Sequence, residues 1–178
     1  QVSLTPYWMA SSQGNQVPTS GTTTKITFAE YQDSDNAFDD GNDKFIIGHY
    51  GLLNHLRNPK NFWQALDSLC QENADLNTRL EVHLSGNIDR EVLAEIESFS
   101  FLKAKVKQLG YLSHAQVLEE YNDASVLLLF LFNSKSGVGN YPAKIFEYFA
   151  AKRAVLAFGP KDSDVKKLIH RTNAGIYI

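Results

Sequence analysis

From Lys44 onward, short apolar runs alternate with segments in which apolar residues recur every three or four positions, and the two patterns predict different elements. Strands are predicted at Phe45–Tyr50, Leu80–Ser85, Val106–Leu109, Ser125–Leu131, Ala154–Phe158 and Gly175–Ile178, with helices between them. The first helix is expected over Pro59–Asn73, with Asn58 as its N-cap and Pro59 in the first turn, where a missing N–H costs nothing. Phe62, Trp63, Leu66, Leu69 and Cys70 then fall on one face. Strands alternating with helices imply βαβ units, hence an α/β domain with a doubly wound parallel sheet over residues 44–178. Val126–Leu131 is apolar on both faces, so it belongs in the middle of that sheet. Leu80–Leu84 alternates instead, which predicts a strand with one face less deeply covered.

Residues 1–43 break this pattern, being rich in Ser, Thr, Gln, Gly, Asn and Asp with one strand-like patch at Lys25–Phe28. They read as a tail or interdomain linker. A net charge of -3 leaves no broad basic field for counterion release, so nucleic acid is not an expected partner. The single cysteine, Cys70, excludes an intrachain disulfide and suits a reducing, cytoplasmic setting. The run Val126–Phe132 is too short to span a bilayer and the first residues lack a signal pattern, so a soluble chain is expected.

Glycines follow most of the strands: Gly51, Gly86, Gly110, Gly137 with Gly139, and Gly159. Each suits a βα turn, and together they suit the carboxyl edge of an open sheet, where ligands bind. The polar stretch Asn133–Asn140 leaves the central strand and enters a helix expected to begin near Pro142. Free amides and the positive end of that helix suit a diphosphate. Lys144 and Glu147, three residues apart, project from one side of it along with Ala143, Ala150 and Ala151. Two readings stand here: a lysine for phosphate beside a carboxylate for a ribose diol, or an intrahelical ion pair on a solvated face.

The segments Gly51 with Arg57-Asn58-Pro59, Gly86-Asn87-Ile88-Asp89, Gly110-Tyr111-Leu112-Ser113-His114 and Tyr141-Pro142-Ala143-Lys144-Ile145-Phe146-Glu147-Tyr148 resemble, in order and spacing, the C-terminal domain of the family 4 glycosyltransferases. A bacterial subgroup in surface-polysaccharide synthesis is most similar, and the resemblance runs from about residue 25, since Ile26–Phe38 is similar to the interdomain segment. It implies a Rossmann-like half of a GT-B fold that binds a nucleotide-diphospho-sugar for retaining, metal-independent transfer. The diphosphate would meet Gly51, Arg57, Lys144 and amides near Tyr141 and Ala143; Glu147 would take the ribose, and Tyr111 and Leu112 would frame the base. Gly86 belongs to the same expected edge. Gly139 stands where the family has a glutamate for the transferred sugar, a place that Asn140 or the loop backbone would have to fill.

The resemblance further implies that no cofactor is used and that a glycan or lipid-linked acceptor and any catalytic base belong to an N-terminal half, with peripheral membrane contact a property of the full-length protein. On this reading the chain binds nucleotide without transferring sugar. A GT-B nucleotide-sugar epimerase and a non-enzymatic nucleotide-binding or interaction module are the alternatives. Asp33-Ser34-Asp35 is read as linker and Asp162-Ser163-Asp164 as the start of a helix rather than as metal ligands. Asp33, Asp35, Asp39, Asp40 and Asp43 lack the spacing of a calcium loop, and the histidines lack that of a metal site.

Overall fold

The computed structural model describes residues 43–132 and 138–178. The linker reading of residues 1–42, with the patch at Lys25–Phe28 and the first Asp-Ser-Asp triplet, lies outside these residues, as does Asn133–Gly137. In chain order the elements are β1 (Phe45–Tyr50), α1 (Lys60–Glu72), α2 (Ala74–Arg79), β2 (Leu80–Ser85), α3 (Arg90–Glu97), β3 (Val106–Gly110), α4 (His114–Asp123), β4 (Val126–Phe130), α5 (Lys144–Ala150), β5 (Ala154–Phe158), α6 (Asp164–Thr172) and β6 (Gly175–Tyr177). All strand pairs are parallel, in a six-stranded sheet of order β3-β2-β1-β4-β5-β6. This is the doubly wound, Rossmann-like arrangement, with β1 and β4 adjacent at its centre.

Two apolar layers flank the sheet. Ile47, Val82, Leu128 and Phe130 pack with Trp63 and Leu66 of α1 and Val92 and Ile96 of α3 on one side. Ile46, Leu127, Leu129 and Val155 pack with Tyr121 of α4, Ile145 and Tyr148 of α5 and Ile169 of α6 on the other. The apolar run of β4 thus divides residue by residue between two cores, as a strand covered on both faces must. Among the described residues, no helix is long and apolar enough to cross a membrane.

Local signals explain several helix ends. Ser113 and Gln116 form a reciprocal capping box at the start of α4. Ser163 accepts the Val165 amide at 3.2 Å, which makes Asp162-Ser163-Asp164 a helix start. Asn173 closes α6 at φ 52.

Two sequence expectations are corrected. Asn58 does not cap α1: its side chain accepts the Trp63 indole N–H at 2.7 Å and donates to Glu95 at 2.7 Å, tying α1 to α3. A buried indole N–H needs a partner, and this one takes the amide that would have served the helix end. Nor is the second face of β2 poorly covered. His83, 8% exposed, lies between Glu120 of α4 at 2.9 Å and Glu81 at 3.0 Å, and Glu81 also binds Lys44 and Lys107. Polar alternation along β2 marks a hydrogen-bonded layer rather than an open one, because burial is tolerable where each polar group is paired.

Asn58→Ala leaves the indole N–H and Glu95 without this shared partner, and is expected to lower unfolding free energy by about 1–2 kcal/mol in urea titration. An unchanged midpoint would show that the bridge is dispensable.

Candidate functional site

At the switch between β1 and β4 the chain leaves one strand toward α1 and the other toward α5, on opposite faces of the sheet. The loops diverge and leave a crevice outside the carboxyl ends. A pocket of about 220 Å³ occupies it, lined by Arg57, Leu129–Phe132, Asn140, Pro142 and Lys144. Among the described residues, this lining holds two cations and no carboxylate.

Glycine makes the approach possible. Gly51 and Gly86 have φ of 145° and 102°, and a Cβ on Gly86 would stand 2.6 Å from the Gly51 carbonyl oxygen. A Cβ on Gly51 would run into the Lys144 ammonium. The ends of β2, β1 and β4 therefore bring two backbones and one lysine together in space that side chains would fill.

Lys144 donates from Nζ to the Tyr50 carbonyl, from the first turn of α5 across to the end of β1. Burial, with the nearby Arg57 charge second, pushes its ammonium down to about 8, partly offset by Glu147. The Arg57 guanidinium lies 3.8 Å over the Phe132 ring, and its buried Nε has no hydrogen-bond partner among the described residues. Behind them His49, 2% exposed, is held neutral: burial, then Lys144, push its imidazole down to about 3. Its Nδ1 donates to the Leu128 carbonyl at 3.2 Å. The crevice thus concentrates positive charge that no described carboxylate neutralises by direct pairing. Such a place favours an anion.

Glu147 stands one turn further along α5. The intrahelical pair with Lys144 does not form; instead Oε2 accepts from Tyr121 Oη at 3.1 Å and Oε1 lies 3.3 Å from His114 Nε2. Its side chain is 36% exposed while that of His114 is 72% exposed, so the carboxylate is anchored on its inner side and open on its outer one. That geometry suits a ligand with hydroxyl donors.

The other expected residues are placed less tightly. Asn140 joins the pocket lining, and Gly139 and Gly110 have open space where a Cβ would stand. Tyr111 is 93% exposed at the end of β3 and Tyr141 46% exposed, with Leu112 half-buried beside the former. The helix expected from Pro142 begins at Lys144, after a turn in which Ile145 N donates to Pro142 O and Phe146 N to Ala143 O. With only seven residues, α5 has a short dipole, and its opening amides near Ala143 are partly used by that turn. The two side-chain cations, more than the helix end, give this edge its charge. His49, Tyr121 and Phe132 were not anticipated; each is indistinguishable in sequence from an ordinary core residue. Among the described residues no cluster of three or more His, Cys, Asp or Glu side chains converges as metal ligands would.

No model of a known protein family matches the sequence, and no curated protein matches it. Solved structures do share the fold. WaaG, a glycosyltransferase involved in lipopolysaccharide biosynthesis, superposes with a TM-score of 0.58 at 19% identity, over 78% of this chain and 35% of WaaG. TarM gives 0.52 at 17% identity over 76% of this chain and 25% of its own. A UDP-forming α,α-trehalose-phosphate synthase from Burkholderia vietnamiensis gives 0.55 at 10% identity over 76% and 33%. The chain therefore shares its Rossmann-like fold with one part of each of these proteins, and spans about a third or less of their length.

Removing the Arg57 charge lifts one of the two influences that depress Lys144. In Arg57→Ala the Lys144 titration, followed by NMR of its side chain, is expected to move upward from about 8 without reaching 10.5, because burial remains. A titration that stays in place would mean that the two cations do not share a field.

Proposed function

We propose that this chain is the donor-binding domain of a glycosyltransferase and holds a nucleotide-diphospho-sugar at the β1–β4 crevice. The observation that carries the reading is the pocket with two cations and no acidic lining, with a carboxylate one helical turn away. Arg57 and Lys144 take the diphosphate, replacing ordered water around its oxygens with fixed positive charge. The Gly51 and Gly86 backbones leave it room, and Glu147 accepts hydrogen bonds from the ribose hydroxyls. Tyr111 and Leu112, at the end of β3, frame the base; Gly139 and Asn140 border the transferred sugar, with Tyr141 and Ala143 at the entrance to α5. Glycosyltransferase neighbours at the level of fold agree with this assignment.

The reaction proposed for the whole enzyme is retaining and metal-independent, in bacterial surface-polysaccharide synthesis. Its chemical logic here is stabilisation of the leaving diphosphate by cations already in place, so that charge developing as the glycosidic bond breaks needs no reorganisation. The acceptor glycan or lipid-linked glycan, and the base, belong to a second domain. On this reading the chain, which superposes on 35% of WaaG, is the donor-binding part of such a cleft.

Calorimetry with UDP, GDP and inorganic pyrophosphate tests this. Arg57→Ala and Lys144→Met are each expected to weaken all three by about tenfold or more, whereas Glu147→Ala weakens UDP or GDP and spares pyrophosphate. Absence of uptake of any of the three by the unmodified chain would overturn the assignment.

The sign of the pH dependence follows from Lys144. The unliganded ammonium loses its proton near pH 8, while a bound diphosphate holds that proton, so binding above this pH must take one up. Affinity is expected to be level just below pH 7 and to fall by up to about tenfold per unit above 8. In Lys144→Met that decline should vanish.

A further inference from the structure

Tyr121 is a buried tyrosine on α4, 2% exposed, wedged edge-on between Tyr50 of β1 at 5.2 Å and Tyr148 of α5 at 5.0 Å between ring centroids. Three phenols thus meet under the carboxyl edge of the sheet, and each hydroxyl goes to a different acceptor. Tyr50 donates to the Glu120 carboxylate at 3.1 Å and Tyr148 to the Leu128 carbonyl at 3.2 Å. Tyr121 alone of the three donates to Glu147. Its ring cannot turn without displacing both neighbours, so the position of its hydroxyl is set by the core.

The two oxygens of Glu147 therefore have unlike holders. Oε2 is bonded to a phenol fixed by packing; Oε1 faces an imidazole that is mostly in solvent and free to swing away. An unheld glutamate of this exposure would sample several rotamers and lose that freedom on meeting a ligand, at a cost in affinity. A glutamate held on one oxygen keeps the other presented to the crevice, and each oxygen retains a lone pair for a hydroxyl.

We propose that Tyr121 is a positioning residue for diol recognition: its buried hydroxyl fixes the Glu147 carboxylate so that a vicinal diol of a nucleoside diphosphate meets it preorganised, while His114 contributes little. This rests on the assignment of Glu147 to the ribose. The phenol touches neither sugar nor phosphate and acts through the carboxylate alone.

The test measures diol discrimination, the affinity for UDP or GDP divided by that for its 2′,3′-dideoxy counterpart, with inorganic pyrophosphate as a third probe. Tyr121→Phe keeps the ring and its packing, and the carboxylate it releases is already open to water, so the variant is expected to fold; thermal unfolding checks this. Discrimination in Tyr121→Phe is expected to drop by about threefold to tenfold. Pyrophosphate affinity stays within twofold, a pattern that general loosening of the core would not give. His114→Ala should change discrimination by less than about twofold, and Tyr121→Phe should add no further loss in a Glu147→Ala background. Undiminished discrimination in Tyr121→Phe, or an equal loss in His114→Ala, would overturn the positioning role. No discrimination by the unmodified chain would instead remove the assignment of Glu147 to the ribose, and the inference with it.

Discussion

The contact on which the site depends is the reach of Lys144 across the central seam of the sheet to the Tyr50 carbonyl. It requires an ammonium to sit largely out of water beside a second cation, which electrostatics opposes. Parallel strands end there with unpaired carbonyls, and one of these compensates part of the loss. Glycine at position 51 keeps the path clear. The result is a folded chain that holds positive charge in a partly dry crevice, at some expense in stability, in a form ready for an anion. Charge placed in that way is a common mark of a binding edge rather than of a structural ion pair.

Around that seam the two cores have different tasks. The layer of α1 and α3 sets the depth of the crevice: Phe130 and Trp63 pack edge-on at 5.9 Å, and His49 lies against Phe130 at 4.7 Å. A neutral imidazole there avoids adding a third positive charge behind Lys144 and Arg57. The layer of α4 and α5 anchors Glu147 through Tyr121, which packs edge-on between Tyr50 and Tyr148. The two cations and the carboxylate are thus backed by cores on opposite faces of one sheet and approach each other at its carboxyl edge. The polar layer of Glu81, His83 and Glu120 continues from Tyr50 toward β3, away from the crevice. Its side chains bond to one another and to Tyr50, Lys44 and Lys107.

The fold was legible because periodicity carries it. A run such as Val126–Leu131, apolar at every position, has few solutions other than a strand between two helical layers, and the observed division between the two cores is the geometric consequence of a period of two. Gly51, Gly86, Lys144 and Glu147 were marked by residue type and by their place along the chain, whereas Arg57 and Asn140 were marked only by the family resemblance. The misplaced features were those in which a side chain had two possible partners. Asn58 followed the rule for a helix cap until Trp63 and Glu95 claimed it, and neither claim has a local signature.

By itself, then, the sequence determined the order of elements and the parallel sheet, and so which loops lie together at its carboxyl edge, since hydrophobic pattern and turn residues act over short stretches of chain. Only the tertiary structure decided that Lys144 turns to the end of β1 rather than to Glu147, that Arg57 lies on Phe132, and that Tyr121 and His114 share the carboxylate. Those choices join residues up to 94 positions apart. They are settled by burial and by competition for hydrogen bonds, which exist only once the layers have closed.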